Sequence, residues 1–445
     1  MPELNWVGKD KVITHHLDVP YRVLERQYSF DETGQHSEDN GSENMIIHGD
    51  NLEALKALLP RYEGRIDCIY IDPPYNTGNE GWVYSDAVND PRIKKWLGQV
   101  VGKESEDLSR HDKWLCMMYP RLRLLQRLLA PTGVIFISID DNEAANLKLI
   151  CDEVFGATCF VADIAVVNNL SGRSDAKYIA TAHEHLMMYR GPEFVSNGVA
   201  MPDKDRETYK LRDELGGYRL LGLRKTGSNS RREDRPGLFY SFSYNVVSGE
   251  LKVDPASTGV DEITILPRLS DGSDGRWRWG RETAQERINE LEVKLVKGRN
   301  EYDVYQKDYV TRNGEGKRVK PKSVWQGSEF SSGAGTREFQ KIMGKGMFET
   351  PKPSALIEYC LSQVSKPDCL VLDSFAGSGT TAHAVLKANA TDGQNRSFIL
   401  VELGDYADTV TAERVRRVIK GFKGTHKGDN MSVSEITGGG GVLVL

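Results

Sequence analysis

Residues 66–75 read Ile-Asp-Cys-Ile-Tyr-Ile-Asp-Pro-Pro-Tyr, a β-branched apolar run that stops at a carboxylate, two prolines and an aromatic ring. The run has strand composition, and the prolines end it. Asp72 and Tyr75 are therefore expected at the carboxyl end of a strand in an open α/β sheet, where ligands bind. Proline carries no N–H, so Asp72-Pro73-Pro74 is a stiff turn that offers acceptors. The Asp72 carboxylate and the Pro73 carbonyl could each take one hydrogen of an amino group, with Tyr75 stacked on the ring that bears it. Such a pocket suits chemistry on an extruded base. Asp and Pro also favour ordinary turns, so the motif by itself fits plain loop chemistry.

A second segment, Asp373-Ser-Phe-Ala-Gly-Ser-Gly-Thr-Thr381, lies between the strand-like Cys369–Asp373 and a helix expected over 380–389. Gly377 and Gly379 let a ligand approach the backbone closely. No Lys-Ser or Lys-Thr follows them, so this is not a phosphate loop, and a full G-x-G-x-x-G is missing, so a dinucleotide is disfavoured. Glu402 ends the next strand, 397–402, where a carboxylate can hold ribose hydroxyls. A nucleoside-type cofactor without pyrophosphate fits, and S-adenosylmethionine is the obvious one. Gly-rich turns between strand and helix are common, so the loop gains weight only beside the amino pocket.

These segments need a scaffold to hold them. Residues 44–50 read as a strand, 51–59 as a helix, 112–130 as a helix divided or kinked at Pro120, 134–139 as a buried strand and 146–155 as a helix. This alternation implies a parallel sheet. Regular order returns near 350, with helices over 356–364 and 409–422. Between them, 191–349 looks irregular and rich in Arg, Gly, Ser and Trp. It holds six basic residues against two acidic ones between Arg219 and Arg235, and five against one between Arg312 and Lys322. Such runs could be solvated faces or phosphate contacts. The tryptophans of Gly275-Arg-Trp-Arg-Trp-Gly280 suit core packing slightly better than DNA contact.

A net charge of −6 argues against a uniformly basic nucleic-acid coat, though a local patch suffices. Hydrophobic content of 39% and charged content of 27% describe an ordinary globular chain, with no run of membrane-span length. The six cysteines stand singly, which disfavours zinc and a disulfide framework and points to a reducing, cytoplasmic setting.

Taken together, Asp72-Pro-Pro-Tyr-Asn-Thr-Gly78 and the later Phe375-Ala-Gly-Ser-Gly-Thr-Thr381 resemble the amino-DNA methyltransferases of the β arrangement. The chain looks most like modification subunits of Type III restriction systems. Trp6-Val-Gly-Lys9, Gly49-Asp-Asn-Leu52, His183-Glu-His185, Asp234-Arg-Pro236 and Pro351-Lys-Pro353 support this. The resemblance implies an α/β, Rossmann-like S-adenosylmethionine-dependent methyltransferase sheet with circularly permuted motif order. An inserted irregular target-recognition domain completes it. Expected boundaries are an N-terminal extension and linker (1–44), a catalytic half (45–190), a target-recognition domain (191–349) and a cofactor half (350–445).

By family position, Asp72, Pro73, Pro74 and Tyr75 are the catalytic set, holding a flipped adenine for N6-methylation. Asp373, Phe375, Ala376, Gly377, Ser378, Gly379, Thr380 and Glu402 would hold the cofactor. Lys352 would lie near its methionine carboxylate and Asp50 near its adenine. Asn76, His183, Arg224, Lys225, Arg231, Arg232, Arg235, Arg276 and Arg278 are the candidate DNA contacts, with Glu184 beside His183 flanking the pocket. No metal is needed. The implied partners are double-stranded DNA, a second copy of the chain and a restriction (helicase/nuclease) subunit. The setting is a bacterial or phage-associated nucleoid. Type III subunits tend to continue past the point where this chain stops, at Leu445. A stand-alone regulatory methyltransferase, an enzyme acting on RNA or an amide nitrogen, and a DNA-binding module without turnover are the competing readings.

Overall fold

The computed structural model describes residues 3–77, 106–172, 177–255, 259–312, 315–421 and 441–445. It divides into one unit of residues 1–199 and 320–445 and a second of residues 200–319.

The first unit is built on an eleven-stranded sheet. Its strands, numbered along the chain, are β1 Tyr28–Phe30, β2 Gln35–His36, β3 Asn44–His48, β4 Ile66–Ile71, β5 Leu129–Ile139, β6 Phe160–Val167, β7 His183–Arg190, β8 Val324–Gln326, β9 Leu370–Asp373, β10 Ser397–Glu402 and β11 Val442–Val444. The spatial order is β8-β6-β7-β5-β4-β9-β10-β3-β11-β1-β2. Neighbours from β5 through β4, β9, β10 and β3 to β11 are parallel, while β7 runs antiparallel between β5 and β6. Strands β4 and β10 are almost wholly buried, as expected for parallel strands covered on both faces.

Among the described residues, seven helices of eight residues or more flank the sheet: α1 Asn51–Tyr62, α2 Glu106–Leu128, α3 Ala144–Cys151, α4 Ser332–Met343, α5 Ser354–Leu361, α6 Thr380–Asp392 and α7 Glu413–Lys420. Two buried clusters fill its faces. One contains Leu55, Trp114, Leu122 and Ile137. The other contains Phe136, Phe339, Leu356, Val385 and Val415.

Several expectations are revised. Pro120 sits inside α2 without ending it. The helix expected to close at 155 passes at Asp152 into a π-turn, and that expected over 409–422 opens with a π-turn at Ala407–Ala412. As the expected single sheet with permuted motif order requires, strands of the two halves interleave: β9 and β10 insert between β3 and β4. Residues 191–199 and 320–349 belong to the first unit, because β8 pairs with β6 and α4 packs into the second buried cluster.

The second unit is more regular than its composition suggests. A four-stranded antiparallel sheet (Leu291–Val296, Glu301–Tyr309, Gly216–Gly222, Leu211–Asp213) and a three-stranded one (Leu251–Val253, Phe242–Asn245, Glu262–Ile265) enclose Leu223, Phe242, Ile265, Trp277 and Val304. These strands are short and carry many ion-paired side chains, which hides their alternation.

No described helix is long and apolar enough to cross a membrane.

Candidate active site

Strands β4 and β9 are hydrogen-bonded neighbours in parallel register, Cys68 opposite Val371 and Ile69 opposite Leu372. Their carboxyl ends therefore emerge side by side. A single cleft opens there, lined on one side by Tyr70, Asp72, Pro74 and Lys352 and on the other by Asp373, Phe375, Ala376, Gly377, Ser378, Thr380 and Glu402. Two loops about 300 positions apart in sequence meet because their strands pair.

On the first side, the Trp114 indole donates to the Pro74 carbonyl at 2.7 Å. Among the described residues nothing donates to the Pro73 carbonyl. The turn is thus fixed through one proline and leaves the other's acceptor available. Tyr75 donates its hydroxyl to Glu184 Oε2 at 2.9 Å. Asp72 Oδ1 is buried without a well-directed hydrogen bond, with Lys352 Nζ 3.3 Å away. Burial raises the Asp72 pKa, and the Lys352 charge opposes that rise.

On the second side, Asp373 organises the glycine loop. Its Oδ1 accepts from Phe375 N at 2.9 Å and its Oδ2 from the Thr381 hydroxyl at 2.5 Å. Burial pushes its pKa up to about 7. Gly377 and Gly379 have φ of 51° and 77°, a region costly for other residues. A Cβ on Gly379 would also stand 3.0 Å from the Thr411 carbonyl. Glu402 accepts from Gly377 N at 2.6 Å and from Gly404 N at 2.8 Å, so much of its carboxylate already steadies the loop. Burial nonetheless raises its pKa.

Residues that the sequence reading passed over complete the clamp. Thr411, in the π-turn before α7, donates to the Gly377 carbonyl at 2.6 Å. Arg414, fully buried, donates to Ser378 Oγ at 2.9 Å and Thr380 Oγ1 at 2.7 Å. A π-turn often marks a functional segment, but nothing in the sequence signals one here. Asn51 donates to the Ser374 carbonyl at 2.7 Å, and Arg121 donates to Asn51 at 2.5 Å. Phe348 and Tyr406, ring centroids 5.6 Å apart, also line the cleft.

Other expected residues fall elsewhere. Asp50 caps α1, accepting from Leu52 N at 2.7 Å, lies 3.3 Å from Arg121 and is not among the cleft-lining residues. Lys352 lies against Asp72, Tyr75 and Glu184, on the base-pocket side of the cleft. Asn76 is fully buried with left-handed φ and donates to Glu143, so it supports the loop and is no surface for DNA. His183 begins β7, its ring 5.5 Å from that of His185.

In the second unit Arg276 is buried and donates to the Asn229 carbonyl at 2.7 Å, while Trp277 is a core residue. Arg224 pairs with Asp303 at 3.1 Å and Arg232 with Asp274 at 3.0 Å. Arg231 lies 3.5 Å from Asp271. Arg235 and Arg278 are exposed and Lys225 half-buried, and none has a carboxylate partner among the described residues. The basic run thus separates into structural and available cations.

A family model of N6/N4-type DNA methylases matches residues 66–412. The Type II methyltransferase M.KpnI of Klebsiella pneumoniae is 38% identical, with 84% of each chain aligned. The Type III restriction-modification enzyme EcoPI Mod subunit of Escherichia phage P1 is 34% identical over 96% of this chain and 69% of its own. The StyLTI Mod subunit of Salmonella typhimurium is 30% identical over 88% of this chain and 60% of its own. With the family motifs at two adjoining strand ends and the match running through both, the chain belongs to the DNA methylases, enzymes whose methyl donor is S-adenosylmethionine.

Proposed function

We propose that the chain is a site-specific methyltransferase that modifies N6 of a flipped adenine in duplex DNA, as the modification component of a restriction-modification system. The observation that carries this is the single cleft lined by Asp72 and Pro74 of the Asp-Pro-Pro-Tyr turn and by Phe375, Ala376, Gly377 and Ser378 of the glycine loop. The loop fits the donor: Phe375, Ala376, Gly377 and Ser378 face the cleft, and Ser374 Oγ is buried without a protein partner. Ala376, Gly377 and Ser378 would line the donor, Glu402 would take its ribose, and the Phe348 and Tyr406 rings offer flat surfaces for its purine. Bound there, S-adenosylmethionine supplies an electrophilic methyl group.

The protein's part is alignment and electrostatics. An exocyclic amino nitrogen is a poor nucleophile because its lone pair is delocalised into the ring. Asp72 and the Pro73 carbonyl accept its two hydrogens and draw the nitrogen towards tetrahedral geometry. Once the methyl group has passed from sulfur to this nitrogen, the nitrogen carries a positive charge and would lose a proton, which the Asp72 carboxylate can take. Flipping the base costs a few kcal/mol, and stacking on Tyr75 returns about 1–3 kcal/mol. Asp rather than Ser before Pro-Pro favours adenine over cytosine by family analogy. The second unit serves target recognition, with Lys225, Arg235 and Arg278 as its phosphate or base contacts. Two relatives are named as Mod subunits of restriction-modification enzymes, which supports its joining a restriction subunit; it works in the cytoplasm as a homodimer.

Methyl-labelled S-adenosylmethionine, offered with duplex DNA and with RNA, tests this. Incorporation into DNA as N6-methyladenine, lost in Asp72→Ala with DNA binding retained, is the expected result. Label in RNA alone, or in N4-methylcytosine, overturns the reading.

A further inference from the structure

The Lys352 ammonium has three neighbours within reach: Tyr75 Oη at 2.5 Å, Glu184 Oε2 at 2.8 Å and Asp72 Oδ1 at 3.3 Å. Its protons are donated to Tyr75 and Glu184, and Asp72 faces the same charge as an ion pair without a well-directed hydrogen bond. The charge thus sits among groups on the acceptor side, whereas the family resemblance implied a place near the donor's carboxylate. Glu184 comes from β7, Asp72 from the end of β4 and Lys352 from the segment before α5, so three separate elements converge on one cation. All three charged side chains are largely buried, at 8% exposure for Glu184, 16% for Lys352 and 26% for Asp72.

The other titratable groups facing Asp72 are the hydroxyls of Tyr70 and Tyr75 and the carboxyl of Asp373 across the cleft. Two carboxylates, Asp72 and Glu184, therefore share one ammonium.

We propose that Lys352 and Glu184 are a positioning pair for the acceptor. Glu184 anchors the Lys352 ammonium beside the Tyr75 hydroxyl, and the ammonium keeps Asp72 charged and oriented for the incoming amino group. This rests on the methyltransferase reading above and deepens it. It also accounts for the fixed plane of Tyr75, whose hydroxyl is held from two sides. Neither residue needs to touch the reacting atoms. The pair acts through Asp72, whose pKa is raised by burial and by Glu184 and lowered by Lys352.

Opposite charges in the pair give the proposal a signature that mere packing lacks. The full chain, wild type and variants, is assayed for kcat/KM on unmethylated genomic DNA between pH 5 and 9, with S-adenosylmethionine KM measured alongside. Lys352→Gln removes the cation, so the acid limb moves to higher pH. Glu184→Gln removes the competing anion, so the limb moves to lower pH. Each shift is on the order of one pH unit, the usual effect of a charge this close. Lys352→Arg retains the charge and keeps the wild-type limb. KM for the donor stays within about threefold throughout.

Limbs that stay in place or move the same way overturn the proposal. So does a Lys352→Gln enzyme whose donor KM rises tenfold with its limb unmoved, which returns Lys352 to the donor carboxylate. Should Lys352→Gln fail to fold, Glu184→Gln alone decides, since it preserves size and hydrogen bonding. A wild-type chain that methylates no DNA defeats the underlying reading. One that methylates with unmoved limbs defeats the pair alone.

Discussion

Arg414→Met gives a direct test of how the donor loop is held. The guanidinium is fully buried beneath the loop and donates to Ser378 Oγ, Thr380 Oγ1 and, at 3.3 Å, the Ser378 carbonyl. Glu338 lies 3.6 Å away and supplies its countercharge, and His383 Nδ1 is at 3.2 Å. Burial pulls the Arg414 pKa down to about 10, still charged at neutral pH. Burial also pulls the His383 pKa down to about 3, so its ring is neutral and can accept. Methionine fills the stem's space but leaves three loop acceptors and Glu338 without their donor.

Removing one partner of a buried pair costs about 3–5 kcal/mol. Glu338 keeps its bonds from Ser354 N and Oγ at 3.0 and 2.6 Å, which favours the lower figure. A loss of about 3 kcal/mol lowers the melting temperature by roughly 3–4 °C in a unit of this size. A slackened loop should also weaken donor binding about tenfold, or about 1.4 kcal/mol. Differential scanning calorimetry and a titration with S-adenosylmethionine read both effects. Adding Glu338→Gln should recover part of the stability, since no carboxylate is then orphaned. A melting temperature within 2 °C of wild type with unchanged donor affinity would refute the clamp.

Asp72→Asn, which keeps shape but loses the charge, should lower kcat by about 10²–10³-fold with donor affinity within threefold, measured by single-turnover methyl transfer. A pH dependence follows from Asp373. Its folded pKa of about 7 exceeds the ordinary carboxylate value, so the folded state holds a proton that the unfolded chain has released across that interval. The associated stability is present at acid pH and is lost as pH rises through about 7. Asp373→Asn should flatten that slope in denaturant titrations. Neutralising Lys225, Arg235 and Arg278 together should weaken DNA binding and reduce its salt slope by up to about three, whereas Arg276→Ala should lower stability more than it alters the slope.

Chemistry was legible in the sequence where it is local. The strand ending at Asp72 and the glycine turn after Asp373 each carry their own punctuation, prolines in one and glycines in the other, and the structure places both at adjoining strand ends. What escaped is long-range. Fully buried strands such as Ile66–Ile71 and Ser397–Glu402 show no alternation, so nothing local reveals that β9 and β10 insert beside β4. Glu184 and Arg414 gain meaning only from partners more than thirty residues away. Arg276 reads as a DNA contact by type, yet its neighbour Trp277 anchors a core and draws it inside. Polar, ion-paired short strands made the second unit look irregular.

The most direct test of the shared cleft is base-resolution mapping of methylation in DNA from cells expressing the chain, with Asp72→Ala as the control. N6-methyladenine at one recurring sequence, absent from the control, is the expected outcome. DNA with no added N6-methyladenine while the purified protein still binds S-adenosylmethionine would contradict the account.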